Sequence, residues 1–358
     1  MILKKSFWKN KKVFVTGHTG FKGSWLVLIL NLLGAKVYGY ALNPPTKPNF
    51  FDDLNLGKYL KKDIRNNILE LKKIKSAIKK IKPSIVFHLA AQSSVLVSYS
   101  DPLKTVNSNV NGTMNVLEAI RAEKSVKVGV IVTTDKVYQN LEKNKKFKED
   151  AHLGGHDIYS GSKAASEIIF QSYKKSFFNL DKCRLSTVRS GNCIGGGDWT
   201  KDRIMKDCAE KLINNKELVI RSPKASRPWQ HVIEPLFGYL ILAEKMFYNK
   251  KFSGAWNFGP NLKNNFKVLE LVKFSKKFLN SKSKIRIVKN KFYESTHLAL
   301  NSKKSLRQLK WKTILTAKEA IKFSLEWYKL YFDTKSPELV TQFSLNQIKK
   351  YQLIIKKR

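Results

Sequence analysis

Tyr159 and Lys163 stand four residues apart in Tyr159-Ser-Gly-Ser-Lys163. On a helix that spacing puts a phenol and an ammonium on one face, within reach of each other. A cation beside a phenol lowers its pKa and makes a phenolate base available near neutral pH. The spacing alone carries little, because about two such pairs are expected by chance in a chain this rich in lysine. The other pair, Tyr331 and Lys335, falls beyond the region that reads as a sheet and is expected at the surface. Tyr159 differs in its position. It opens a helix that follows a strand ending at Thr133, and Thr133-Thr134-Asp135-Lys136 puts hydroxyl, carboxylate and amine at the carboxyl end of that strand. Open α/β sheets bind their ligands along that edge.

A second chemical signal lies nearer the N-terminus. Gly17, Gly20 and Gly23, in Gly17-His-Thr-Gly-Phe-Lys-Gly23, follow the first strand and open the first helix. Glycines there let the backbone turn tightly and approach a pyrophosphate, which then meets the free N–H groups of the helix start. An acid about 20 residues further on would grip the adenosine ribose. The second strand instead ends Tyr40-Ala41-Leu42-Asn43, without a carboxylate. That position leaves NAD and NADP both open, and the lack of a nearby arginine for a 2′-phosphate leans toward NAD. Asp63 reads equally as a group for the adenine amine and as a helix cap.

These groups need a scaffold. Apolar β-branched runs starting at Lys12, Lys36, Ser84, Val126 and Cys183 read as buried strands. Amphipathic segments at 21–33, 66–81, 101–123 and 159–178 read as helices, the third as one long helix with Asp101 at its cap and Pro102 in its first turn. This alternation predicts a Rossmann-type α/β fold, a doubly wound parallel sheet covered on both faces. From 190 to 230, Gly, Asp, Trp, Pro and Arg become frequent, as in ligand-binding loops. Later helices are expected at 235–248, 269–279 and 317–332, with a short strand near Ala255. The expected division is a dinucleotide domain over 1–190, with 228–258 returning to it. A smaller α/β substrate domain would take 191–227 and 259–330, and 331–358 would form a peripheral helical tail.

Composition bounds the rest. With 42% hydrophobic and 11% aromatic residues in 358, the chain can bury a core and is not disordered. Its longest mostly apolar run, 25–33, is less than half of the about 20 residues a spanning helix needs. Residues 1–12 lack a signal-type apolar segment, and no membrane partner is expected. Three cysteines without a C-x-x-C argue against a disulfide framework or a thiolate zinc site. No metal is expected, and the expected compartment is the cytoplasm. The net charge is +41, from 68 Lys and Arg against 27 Asp and Glu. Of these, 58 are scattered lysines and 10 are arginines. Nucleic-acid recognition favours the guanidinium fork, so the charge reads as a lysine-rich surface and no nucleic-acid partner is expected. Arg189, Arg203, Arg221 and Arg227 cluster in the loop region and point to a phosphate or pyrophosphate ligand.

The glycine loop, His88-Leu-Ala-Ala-Gln92, Thr133-Thr-Asp-Lys-Val-Tyr138 and Tyr159–Lys163 together resemble the extended short-chain dehydrogenases/reductases that act on nucleotide sugars. Three longer strings narrow the resemblance to the CDP-glucose 4,6-dehydratase group: Arg189-Ser-Gly-Asn-Cys-Ile-Gly-Gly-Gly-Asp-Trp-Thr200, Asp202-Arg203-Ile204 and Arg227-Pro-Trp-Gln-His-Val-Ile-Glu-Pro-Leu236. Sister dehydratases carry Asp-Glu where this chain has Asp135-Lys136.

The resemblance implies bound NAD and a small-molecule nucleotide-sugar substrate. Tyr159 would take the C4 hydroxyl proton, Thr134 would bond the C4 oxygen, and Lys163 would hold the nicotinamide ribose. Asp135 would be the acid for the C6 hydroxyl and Lys136 the base at C5, a role that needs a depressed lysine pKa. The cofactor set would be Gly17, Thr19, Gly20, Phe21, Gly23, Asp63, Ile64, Ala90, Tyr159 and Lys163. Gln92, Asn192, Arg203 and Arg227 would face the substrate, with Arg221 a weaker candidate, and His231 reads equally as a substrate contact and as a core histidine. Ser93 and Tyr99 would line the sheet edge, Trp199 and Trp229 would wall the pocket, and Glu294 and His297 would lie in a loop over it. A homodimer through helices 101–123 and 159–178 is expected. An epimerase or a dehydratase for a dTDP-, GDP- or UDP-linked sugar would share the Tyr/Lys machinery. A cofactor-sensing regulator on the same fold would need no Tyr/Lys pair.

Overall fold

The computed structural model describes residues 2–141, 146–178, 183–260, 265–288, 298–334 and 336–358. Seven parallel strands form its central sheet: β1 (Lys12–Thr16), β2 (Lys36–Ala41), β3 (Lys62–Arg65), β4 (Ile85–His88), β5 (Val128–Val132), β6 (Arg184–Ser190) and β7 (Gly254–Phe258). Their spatial order is β7-β6-β5-β4-β1-β2-β3. Side chains alternate across the sheet with a period of two. Val13, Val15, Ile85, Phe87, Val128 and Val130 face one buried layer, while Phe14, Val86 and Ile131 face the other. Both faces are therefore covered, as near-continuous apolar strands require.

The helices that cover it are α1 (Phe21–Leu32), α2 (Leu71–Ile81), α3 (Pro102–Val106), α4 (Gly112–Arg121), α5 (Ile158–Phe177), α6 (Ile204–Ile213), α7 (Ile233–Tyr248), α8 (Val268–Phe278), α9 (Ala317–Thr334) and α10 (Pro337–Lys357). α6 and α8 pack with short strand pairs, Leu218–Ile220 with Ile285–Ile287 and Ser226–Pro228 with Asn265–Lys267.

Several expectations change. The helix expected over 66–81 begins only at Leu71, because Asn66 and Asn67 turn their side chains onto the N–H groups of Asn67 and Leu69 at 2.9 and 3.0 Å. Such local bonds compete with helix formation. The helix expected over 101–123 is interrupted by a π-turn at Asn107–Asn111. β3, a polar edge strand, went unforeseen because Lys62-Asp-Ile-Arg65 carries no apolar alternation. The expected peripheral tail is a core helix. α10 buries Val340, Ile348 and Tyr351; Ser344 accepts the Trp327 indole N–H at 2.8 Å, and Tyr351 meets the Phe237 ring edge-on at 5.0 Å. Tyr331 is half-buried rather than fully exposed. It stacks on Trp327 at 5.4 Å and reaches Asp53 at 3.2 Å, while Lys335 lies outside the described residues.

Candidate active site

From β1 the chain runs outward to β2 and β3, then returns to the other side of β1 as β4. That reversal opens a crevice at the carboxyl ends of β1 and β4. A cleft of about 630 Å³ lies there. Its floor is the glycine loop. Gly17 has φ +73°, and a Cβ there would stand 2.5 Å from the Ala90 nitrogen, while a Cβ at Gly23 would stand 2.1 Å from the Gly17 carbonyl. The turn and its packing thus require both glycines. Gly20 differs: a Cβ there meets nothing nearer than the Gly17 carbonyl, at 3.5 Å. The missing side chain leaves open space on the cleft side of the α1 N-terminus, and a pyrophosphate fits such a cradle. Thr19 ties the loop to the end of β2 through a 3.0 Å bond to the Leu42 carbonyl. Thr19, Phe21 and Ala90 line the cleft with the three glycines.

Asp63 and Ile64 lie on β3, outside the cleft lining. Asp63 is a strand residue and caps no helix. Its carboxylate meets His18 Nε2 at 2.8 Å and Arg65 Nη2 at 2.7 Å. Burial would push this carboxyl up, but the bonds from His18 and Arg65 outweigh it and hold it low. An arginine does stand beside the end of β2, contrary to expectation, since Arg65 donates to the Leu42 carbonyl at 3.3 Å. Asp63 neutralises it, so a 2′-phosphate would compete with a carboxylate for the same guanidinium.

Thr134, Asp135, Lys136, Tyr159 and Lys163 all line one stretch of the cleft wall. α5 starts at the Asp157 cap, whose side chain accepts the Ser160 N–H at 2.9 Å. This sets Tyr159 and Lys163 on the inward face. Asp135 follows β5 in a tight turn, and the Thr134 hydroxyl donates to it at 3.1 Å. Burial pushes the Asp135 carboxyl up, against Lys136, Thr134, Arg227 and Lys22. Tyr159 does not behave as the sequence suggested. Burial pushes its phenol up, against the Thr134 hydroxyl and the Lys22 and Arg203 charges. Lys163 donates to the Val132 carbonyl at 3.4 Å; burial and the Lys22 charge lower it to about 8, against Glu167.

Beneath this wall runs a buried network. Arg189 binds Glu167 through two bonds of 2.8 Å, and Glu167 also accepts from Thr133 at 2.6 Å and Thr187 at 2.8 Å. Arg189 reaches Tyr138 at 2.6 Å, and Tyr138 donates to Asn257 at 2.7 Å. The network clamps the ends of β5, β6 and β7 behind the Thr133–Tyr138 turn. Arg189 therefore belongs to the scaffold rather than to a phosphate site.

The loop residues divide. Asn192, Arg203, Arg221 and Arg227 line the cleft. Arg227 is buried, Arg203 lies 3.5 Å from Asp198, and Arg221 pairs with Asp202. His231 does not reach the cleft. It sits in the core with the edges of its ring contacts, Trp25 and Phe323, at 5.8 and 5.6 Å, and burial holds it near 3, hence neutral. Gln92 does not reach it either, because its amide is spent on Ser94 and Thr105 at 2.9 and 2.8 Å. Ser93 and Trp229 line the cleft; Tyr99 is exposed away from it, and Trp199 packs among Trp327, Tyr328 and Tyr331. Glu294 and His297 lie outside the described residues.

Residues 14–323 match the family described as GDP-mannose 4,6 dehydratase. The chain belongs to this family. Among curated relatives, CDP-glucose 4,6-dehydratase of Salmonella typhimurium is 39% identical over 338 residues, covering 92% of this chain and 94% of that one. Among solved structures, UDP-glucose 4-epimerase of Thermotoga maritima superposes with a TM-score of 0.79 at 19% identity, covering 90% and 99% of the two chains. dTDP-glucose 4,6-dehydratase of Bacillus anthracis, in complex with NAD, does so with 0.76 at 21% identity, covering 90% and 98%. The superpositions establish the Rossmann-type fold.

Within this member of the GDP-mannose 4,6 dehydratase family, sequence reasoning overlooked two site residues. Glu167 lies one turn past Lys163 on α5, a spacing that could have flagged it. Lys22 sits inside the glycine motif itself, where attention to the glycines passed over it.

Proposed function

We propose that the chain is a hydro-lyase, a nucleotide-sugar 4,6-dehydratase that converts CDP-D-glucose into CDP-4-dehydro-6-deoxy-D-glucose and water with NAD bound. One observation carries this reading. A single cleft joins a glycine cradle, a buried tyrosine beside a threonine hydroxyl, a carboxyl raised by burial, and a lysine on the adjacent position. NAD, held at the glycine cradle and at Lys163, would supply the hydride acceptor for C4 and the hydride donor for C6. Tyr159 takes the C4 hydroxyl proton, and Thr134 holds the same oxygen. The ketone acidifies the C5 proton, which Lys136 removes and gives back to C5 as the hydride reaches C6. Asp135, whose carboxyl burial raises, gives a proton to the departing C6 hydroxyl. The cradle at Gly20 and the wall at Lys163 are the places for the cofactor's pyrophosphate and nicotinamide ribose. Arg203, Arg227 and Asn192 are placed for the substrate's phosphates and sugar.

Cytidine is favoured by the 39% identity to the Salmonella enzyme and by Lys136 after Asp135. Incubation with CDP-, dTDP-, GDP- and UDP-glucose, reading the 4-keto product, tests it. The CDP sugar should turn over at least about tenfold faster than the others; preference for another nucleotide would contradict the assignment of the base. We further propose a homodimer formed by α3 and α5, where Leu103, Val106, Ile168 and Phe177 are left exposed. No helix among the described residues is long and apolar enough to cross a membrane.

A further inference from the structure

The cleft runs on past Arg203, along α6. Arg203 stands at the N-cap of that helix, and its carbonyl accepts the Asp207 N–H at 2.9 Å. Asp207 therefore follows one turn later, about 6 Å along the axis. Both residues line the cleft. The short strand Leu218–Ile220 faces the same space. Its side chains alternate, so Leu218 and Ile220 are buried while Val219 is 39% exposed and lines the cleft.

Val219 thus offers an apolar platform to a flat ring, and Asp207 offers an acceptor at the ring's edge. The Asp207 side chain is 31% exposed, and its nearest cation is Lys206 at 3.7 Å. That ammonium lies nearer Glu210, at 2.9 Å. A carboxylate has about four lone-pair sites, so Asp207 keeps room for a ligand donor. Pyrimidines differ in what they would bring there. Cytosine carries an amino group, N4–H, where uracil and thymine carry the lone pairs of O4. A carboxylate accepts from the first and repels the second.

We propose that Asp207 is a specificity-determining residue for the nucleobase: its carboxylate accepts the cytosine amine while the ring lies against Val219. The inference rests on the proposed function in taking a nucleotide sugar as the ligand. With the sugar at Tyr159 and the phosphates at Arg203 and Arg227, the base is the part that reaches this end of the cleft. One helix then serves two parts of the substrate, its first residue the phosphates and its second turn the base.

The test is calorimetry on the full-length protein, saturated with NAD, using CDP and UDP as ligands that cannot react. The wild type should bind CDP at least about tenfold more tightly than UDP, the scale of one discriminating base contact. Asp207→Asn has an amide that can donate to O4 as well as accept from N4. It should cut the preference by about tenfold, with UDP binding more tightly than it does to the wild type. An undiminished preference in Asp207→Asn overturns the proposal. A second arm needs no variant and stands even if Asp207→Asn fails to fold. The diphosphate of 2-pyrimidinone riboside lacks the amino group, and the wild type should bind it about tenfold more weakly than CDP; equal binding overturns the proposal. Turnover separates this inference from the reading beneath it. A protein that dehydrates CDP-glucose while Asp207→Asn keeps its full preference overturns the role of Asp207 alone. One that shows the preference and its loss, yet dehydrates no sugar, overturns the proposed reaction and leaves Asp207 in place.

Discussion

Asp135 and Lys136 are neighbours in sequence that meet different surroundings. Asp135 is buried and its carboxyl is raised, while Lys136 is partly exposed on the cleft wall. If Lys136 is the C5 base, Lys136→Met should block C5 proton exchange with solvent and slow dehydration by at least about a hundredfold, the usual scale of general-base catalysis. Bound cofactor should remain, and reduced cofactor should still form as C4 is oxidised. Full turnover by the variant would contradict the role. That Tyr159, Thr134 and Asp135 share one cleft was readable because local spacing and a strand end placed them. The charge state of the site was not. It depends on burial and on charges that arrive from distant elements, such as Lys22 from α1. The two readings of His231 stayed open for a related reason: nothing in Trp229-Gln-His231 shows that Trp25 and Phe323 close over it.

At the scale of elements, the main strands and helices were legible because their apolar periods are strong. What failed was local. The π-turn at Asn107–Asn111 turns Asn109 inward, where it bonds the Gln92 backbone at 2.9 and 3.1 Å and Ser162 at 2.8 Å. That single residue couples the loop after β4 to α5, and such bulges often sit at functional sites. α7 holds another hidden device. Glu234 is fully buried; its Oε1 accepts the N–H groups of Ile314 and Leu315 at 2.6 and 3.0 Å, and burial raises its carboxyl to about 7. A carboxyl whose folded pKa lies above its unfolded one binds more protons when folded. Stability therefore falls as pH rises from about 4.5 to about 7, by about 3 kcal/mol for this group. Glu234→Gln keeps the carbonyl acceptor and removes the charge. It should melt higher than the wild type at pH 8 and match it near pH 4.5; parallel melting curves across that range would contradict the reading.

At the scale of the molecule, alternation of strands and helices fixed the fold class, and the order of the strands places the crevice where β1 and β4 part. The tail was misjudged because a helix with lysines on one side, such as α10, reads as peripheral until its partner surface is known. The net charge of +41 comes mostly from dispersed lysines and opposes self-association, so the proposed homodimer must rest on apolar contact. Leu103 is 76% exposed. Leu103→Glu should yield a monomer in analytical ultracentrifugation with the fold intact by circular dichroism, whereas an unchanged dimer would move the interface elsewhere. The claim on which the account turns is that one cleft removes a hydride from the sugar and gives it back to the same molecule. CDP-glucose carrying deuterium at C4, turned over by the purified protein and read by NMR, tests it directly. The account predicts deuterium at C6 of the 4-keto product; deuterium retained at C4 or lost to solvent would contradict it.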